Sequence, residues 1–242
     1  MQSEFKNETW SWEITLKTFV EEGSIDPAWK DFFRRSDIKS DLEKISTFLE
    51  EERKKNVTIY PEIYNVFRAF SLPLKDIKLV ILGQDCYHDG NAVGLCFSVP
   101  RNGKINPSLR NIYQELQNEG YNPNQDGDLS HWQKQGCMML NTALTVEKGS
   151  PESHLAIWYD FSEKVLKEIA NHNDSIAWLL MGAKALKFRH LIKNEKSIFA
   201  TSHPSPFSAY KGFGQIPAFI GSNIFKKINT FLKENGKEEI NW

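Results

Sequence analysis

The sequence predicts an α/β fold, a three-layer α/β/α sandwich with a central, mainly parallel four-stranded sheet. Four short apolar runs, at 79–82, 137–140, 175–181 and 197–201, are too short for helices and end at glycine or small polar residues. Segments with helical apolar spacing separate and follow them. Strands that alternate with helices pair in parallel and need cover on both faces. The chain has 242 residues, 40% hydrophobic and 25% charged, enough for one sizeable core.

The first sixty residues read as helical and charged. Between 41 and 55, Leu42, Ile45, Phe48 and Leu49 share one helix face. Trp10, Trp12 and Trp29 in this region read as core anchors. The aromatic stretch 58–70 is expected to cover one edge of the sheet. After the first strand, residues 86–106 are loop-rich, with Gly90, Gly94, Pro100 and Gly103. Asn106 and Pro107 then open a helix as cap and first helical residue. Leu109, Ile112, Tyr113 and Leu116 form its apolar face, and Gly120 stops it. A helix over 157–170 follows the second strand, with Ile157, Phe161, Val165 and Ile169 at four-residue steps. A helix is expected after Gly182-Ala183, and a last one over 222–235 ends at Gly236. No repeat, low-complexity segment or linker divides the chain, so one domain is expected over 1–242. Its helical N-terminal part is 1–60 and its α/β core 61–242.

Composition narrows the function. The formal net charge of −1 excludes a global basic signature, so a nucleic-acid partner would be held by local donors. Cys86, Cys96 and Cys137 show no metal-ligand spacing, and a sparse, odd set fits reduced thiols in a cytoplasmic or nuclear setting. No secretory signal or membrane-length apolar run is visible, and no cofactor or metal is expected.

Chemistry concentrates at the strand ends. In a parallel sheet these share one edge, where open α/β sheets bind ligands. The first strand delivers Gln84, Asp85, Tyr87 and His88, the second Asn141, the third the Gly182 turn, and the fourth His203 and Ser205. A carboxylate, imidazoles, an amide and hydroxyls suit a cleavage in which an anion leaves and a cation forms. Taken singly, Asp85 and Asn141 read as turn residues, His203 as a loop histidine and Phe97 as core. Phe207, between Pro206 and Ser208 in a polar loop, reads as an interacting aromatic. His88 reads as a supporting hydrogen-bonding group. His131, His154, His172 and His190 read as surface or helix residues without a role.

Several motifs together carry a more specific message. GQDCYH (83–88), GLCFSV (94–99), LNTALTV (140–146) and HPSPFSAYKGF (203–213) resemble, in order, those of family-1 uracil-DNA glycosylases. The likeness runs from about Trp10 to the terminal INW. The resemblance implies a DNA-repair enzyme that flips uracil from single- or double-stranded DNA and hydrolyses its N-glycosidic bond. It implies that Asp85 orients water and steadies the sugar cation, and that neutral His203 donates to uracil O2. Asn141 would read the uracil edge, Phe97 would stack on the base, Tyr87 would exclude the thymine methyl, and Gln84 would help hold the base. Phe207 would wedge into the duplex. Ser108, Ser205, Ser208, Tyr210 and Lys211 would contact DNA. A proteinaceous glycosylase inhibitor is a further implied partner, and a monomer the implied state.

The match has departures. Cys86 replaces the family's usual proline and sets a thiol beside the site, open to oxidation if exposed. The segment between His88 and Gly94 is about one residue short. KINPSL (104–109) is less proline-rich than the family pattern, Ala183 replaces a serine, Phe207 a leucine and Lys211 an arginine. Two other classes stand beside the glycosylase. One is a DNA-binding replication-accessory protein on the same fold with reduced activity, which intact Asp85, Asn141 and His203 argue against. The other is a small-ester hydrolase, which lacks a G-x-S-x-G elbow.

Overall fold

A computed structural model describes residues 25–242. Trp10 and Trp12 lie outside the described residues. Four strands form the main sheet: β2 (Leu79–Gly83), β3 (Cys137–Asn141), β5 (Ala177–Met181) and β6 (Ile198–Thr201). Their order is β3-β2-β5-β6 and every pairing is parallel. All residues of β2, β3 and β5 are buried, because helices cover both faces. A second, two-stranded antiparallel ribbon joins β1 (Ile59–Tyr60) to β4 (Val146–Glu147).

Seven helices accompany the strands among the described residues: α1 (Lys30–Arg34), α2 (Ser36–Lys54), α3 (Pro107–Asn118), α4 (Ser130–Gln133), α5 (Leu155–His172), α6 (Ala183–Leu186) and α7 (Ile224–Glu234). The chain leaves β2 toward β3 and then returns past β2 to β5. Right-handed crossovers in opposite directions put α3 and α5 on opposite faces. The reversal also opens a crevice between the C-terminal ends of β2 and β5.

One outer layer is built on α5. Ile38, Leu42, Ile45 and Leu49 of α2 are buried along a single stripe. Lys164 of α5 reaches Asp41 of α2 at 2.6 Å, and Arg35 reaches Glu168 at 3.0 Å. An edge-to-face cluster of Trp29, Phe32, Phe33, Phe67, Phe70 and Phe161 fixes the N-terminal helices to this layer. Trp29 is fully buried and donates to the Leu72 carbonyl, as a core anchor should. The 3-10 turn Arg68–Ser71, at the end of the aromatic stretch, packs against edge strand β3, while Ile59–Tyr60 pair in the separate ribbon.

The opposite layer joins α3 to α7. The α7 N-terminus has no side-chain cap of its own; its flanking Asn223 is left-handed at φ 54°. Buried Glu119, at the C-terminal end of α3, accepts from the Phe225 and Lys226 amides, and Glu115 of α3 from those of Gly221 and Asn223. Two carboxylates thus satisfy exposed N–H groups at a helix start, where negative charge is favoured. Asn106 occupies the expected cap position of α3, but makes no side-chain bond to the helix. Its Oδ1 accepts instead from Asn91 at 3.5 Å.

Candidate active site

The loops leaving β2, β3, β5 and β6 enclose a cleft of about 660 Å³. Its lining includes Gln84, Asp85, Tyr87, Phe97, Ser108, Asn141, His203, Ser205, Phe207 and Ser208. Tyr210 and Lys211 are exposed farther along the last loop and do not line it.

The β2 and β3 loops are stitched together by backbone. Thr142 N–H donates to the Gly83 carbonyl, and Ala143 N–H and Thr142 Oγ1 donate to that of Gln84. Gly83 pairs in register with Asn141, which packs over it. A Cβ at Gly83 would lie 2.2 Å from Asn141 Oδ1, so only glycine leaves room for the buried amide. Asn141 Nδ2 donates to Cys86 Sγ at 3.5 Å, and that thiol donates to the Ala143 carbonyl at 3.5 Å. Cys86 is buried, and burial pushes its pKa up to about 12, which disfavours the thiolate that oxidation needs.

Asp85 is half-buried. Its Oδ2 accepts the Glu152 backbone N–H at 2.7 Å, and Oδ1 has no hydrogen-bond partner among the described residues. Burial raises its pKa; the Glu152 amide, His88 and Lys184 oppose that rise, while the Glu152 charge adds to it.

His203 is oriented from behind. Ser205 N–H donates to its Nδ1 at 3.1 Å, so in the neutral ring the proton sits on Nε2. Burial lowers its pKa and keeps the imidazole uncharged at neutral pH. Gly182, at φ 88°, lets β5 approach: a Cβ there would meet the His203 Cβ at 2.9 Å.

Phe97 sits against His203 with ring centroids 6.0 Å apart. Its φ of 62° is unusual for an aromatic residue and costs about 1–2 kcal/mol. A strained residue held in a cleft points to function. Tyr87 Oη donates to the Phe97 carbonyl at 3.3 Å, tying the two rings together. The last loop is a tight turn in which Ser208 N–H and Ala209 N–H both donate to the Ser205 carbonyl. It pushes Phe207 into solvent at 92% exposure, while the Ser205 and Ser208 hydroxyls stand 3.2 Å apart.

Sequence reasoning missed three residues. Glu152 and Lys184 line the cleft and pair at 2.6 Å, yet Glu152 lies in a turn-like GSPESH stretch with no chemical signal. His154 reads as an ordinary surface or helix residue but is buried. Its Nδ1 bonds Thr145 Oγ1 at 2.9 Å, and Trp158 donates to the same hydroxyl. Of the other histidines, His172 and His190 are exposed and His131 is half-buried.

Comparisons with known proteins give the family. The sequence profile of the Uracil DNA glycosylase superfamily matches residues 71–233. A uracil-DNA glycosylase of Psychromonas ingrahamii is 41% identical over 221 residues, covering 89% of this chain and all of that protein. One of Campylobacter jejuni subsp. doylei is 41% identical over 235 residues, covering 95% of this chain and 98% of its own. The crystal structure of mimivirus uracil-DNA glycosylase superposes with a TM-score of 0.82 at 28% identity, covering 97% of this chain and 94% of that one. Its Y322F variant in complex with UGI superposes with a TM-score of 0.85 at 29% identity, covering 98% and 96%. The match over two thirds of the sequence, the full-length relatives and the shared fold together place this chain in the uracil DNA glycosylase superfamily.

Proposed function

We propose that this cleft takes a uracil nucleotide flipped out of DNA and hydrolyses its N-glycosidic bond, leaving an abasic site and free uracil. The observation that carries the reading is His203, a neutral imidazole with its Nε2 proton free to donate, in one cleft with Asp85 and Asn141.

Phe207 fills the stack that the flipped nucleotide leaves, and flipping costs a few kcal/mol. Phe97 stacks on the base. Asn141 donates to O4 and accepts from N3–H; cytosine reverses both groups, and the buried amide then goes unpaired. The Tyr87 ring occupies the space beside C5 and rejects the thymine methyl. Gln84 holds the base through its backbone. As the C1′–N1 bond breaks, its electron pair passes to the base and negative charge grows at O2. His203 Nε2–H stabilises that charge without a buried cation beforehand. The sugar becomes cation-like, and Asp85 faces it and positions a water. The water oxygen bonds C1′, and the proton it sheds is balanced by the one the departing uracil anion takes up to become free uracil.

Ser108, Ser205 and Ser208, with Tyr210 and Lys211 further along the loop, contact the DNA backbone. Hydroxyls and amides grip phosphate without strong positive charge, in keeping with a net charge of −1. A proteinaceous inhibitor is a further partner in this reading, supported by the mimivirus variant in complex with UGI. We further propose a monomer acting as one unit over 1–242 in a reducing compartment, cytoplasmic or nuclear. Among the described residues no helix is long and apolar enough to cross a membrane. The test is a uracil-containing oligonucleotide treated with the protein and then alkali. Strand breaks only at uracil are expected; intact strands with folded protein would overturn the assignment.

A further inference from the structure

We infer that the Glu152–Lys184 ion pair is a clasp that positions Asp85, making Glu152 and Lys184 positioning residues for the reaction. The inference rests on the glycosylase reading above. Glu152 belongs to the turn before α5, and Lys184 to the segment just after β5. Their side chains meet at 2.6 Å across the cleft, each a little under half exposed. Gln84, on the loop that carries Asp85, and Lys184 together hold the Glu152 carboxyl below its ordinary pKa, with Lys184 the larger cause. Glu152 therefore ties both loops to its own turn, the one after β2 through its N–H and the one after β5 through its carboxylate.

The backbone of Glu152 does the positioning. Its φ of 68° lies in the left-handed region, which a glutamate adopts only when held there. In that conformation its N–H reaches Asp85 Oδ2 at 2.7 Å and leaves Oδ1 as the oxygen available to water. The side chain holds the turn, and the turn orients the carboxylate. Without the clasp the peptide can relax and Asp85 gains rotamers that do not face the sugar.

The pair also sets the charge around Asp85. The groups acting on that carboxylate are Glu152, His88 and Lys184, with His203 in the same cleft and Lys187 acting on Glu152. Glu152 raises the Asp85 pKa and Lys184 lowers it. Losing Lys184 therefore moves the acid limb of the rate profile to higher pH, and losing the Glu152 charge moves it lower.

The experiment measures single-turnover excision from a single-stranded uracil oligonucleotide across pH, for wild type, Lys184→Met, Glu152→Gln and Glu152→Gly. Glycine keeps the left-handed peptide and its N–H but removes the carboxylate. Wild-type excision in the same assay tests the glycosylase reading separately. Each variant is expected to lose roughly two- to fivefold in maximal rate, the size a half-exposed ion pair supports. The acid limb is expected to shift upward for Lys184→Met and downward for both Glu152 variants. Unchanged maximal rates and acid limbs, with only weaker DNA binding for Lys184→Met, would make Lys184 a phosphate contact and overturn the clasp. Acid limbs shifted in the same direction for Lys184→Met and Glu152→Gln would overturn it too.

Discussion

Gly83→Ala tests how tightly the base-reading amide is seated. Gly83 ends β2 opposite Asn141, and its φ lies outside the left-handed region, so alanine meets no backbone obstacle there. The obstacle is the side chain across the ladder. The new methyl would sit 2.2 Å from Asn141 Oδ1 and 2.7 Å from Cys96 Cβ. Reaching even 3.0 Å requires the amide to move by about 0.8 Å, and Asn141 is buried at 6% exposure against the Cys86 thiol. A misplacement of about 1 Å in a positioned group costs on the order of 10²-fold in rate, or about 2.7 kcal/mol. Overpacking costs about 1–3 kcal/mol of stability, which lowers Tm by about 2–12 °C in a chain of this size. The variant should therefore stay folded at 25 °C while kcat/KM for uracil excision falls about a hundredfold. The assay pairs oligonucleotide cleavage with a thermal melt. Wild-type kcat/KM in a folded Gly83→Ala protein would refute the placement of Asn141 as the base reader.

Three further outcomes follow from the same geometry. Asp85→Asn should raise thermal stability at neutral pH while lowering turnover severely. Burial holds the Asp85 pKa above its ordinary 3.8, so its native-state stability is present at low pH and lost as pH rises through the raised value. The gain from asparagine should therefore vanish below about pH 3.8, the ordinary carboxylate value, in melts against pH; a neutral-pH loss would contradict this. Phe207→Ala should leave stability within about 0.5 kcal/mol, since the ring is 92% exposed, and lower excision from duplex more than from single strands. An equal effect on both substrates would remove the wedge role. Tyr87→Ala should admit thymine in an oligonucleotide assay; unchanged rejection would place the methyl-excluding contact elsewhere.

How much of this was legible depended on where the signal lay. Strands β2, β3 and β5 read easily because burial on both faces makes each a nearly unbroken apolar run, as in Leu79–Gly83 and Ala177–Met181, while edge strand β6 is only partly buried. Their order is not written in the runs and came from the structure. The β1–β4 ribbon was missed because two-residue strands leave no period to detect. The helix expected over 157–170 begins at Leu155 and ends at His172, since no strong cap marks either end. Asp85, Asn141 and His203 stood out because motif and strand end coincide. Glu152 and Lys184 did not, because their part depends on a backbone amide and a side-chain pairing that no local pattern encodes. His154 looked ordinary for the same reason: its buried partner Thr145 lies in the loop between β3 and β4. Cys86 was noticed as a departure, but its burial and its bond to Asn141 emerged only in three dimensions.

The most direct test is single-turnover release of free uracil from a uracil oligonucleotide, with EDTA present, by wild type, Asp85→Asn and His203→Ala. Rapid release by wild type is expected, with each variant slower by about 10²-fold or more and still folded. No release by wild type, or undiminished release by both variants, would contradict the assignment of this cleft.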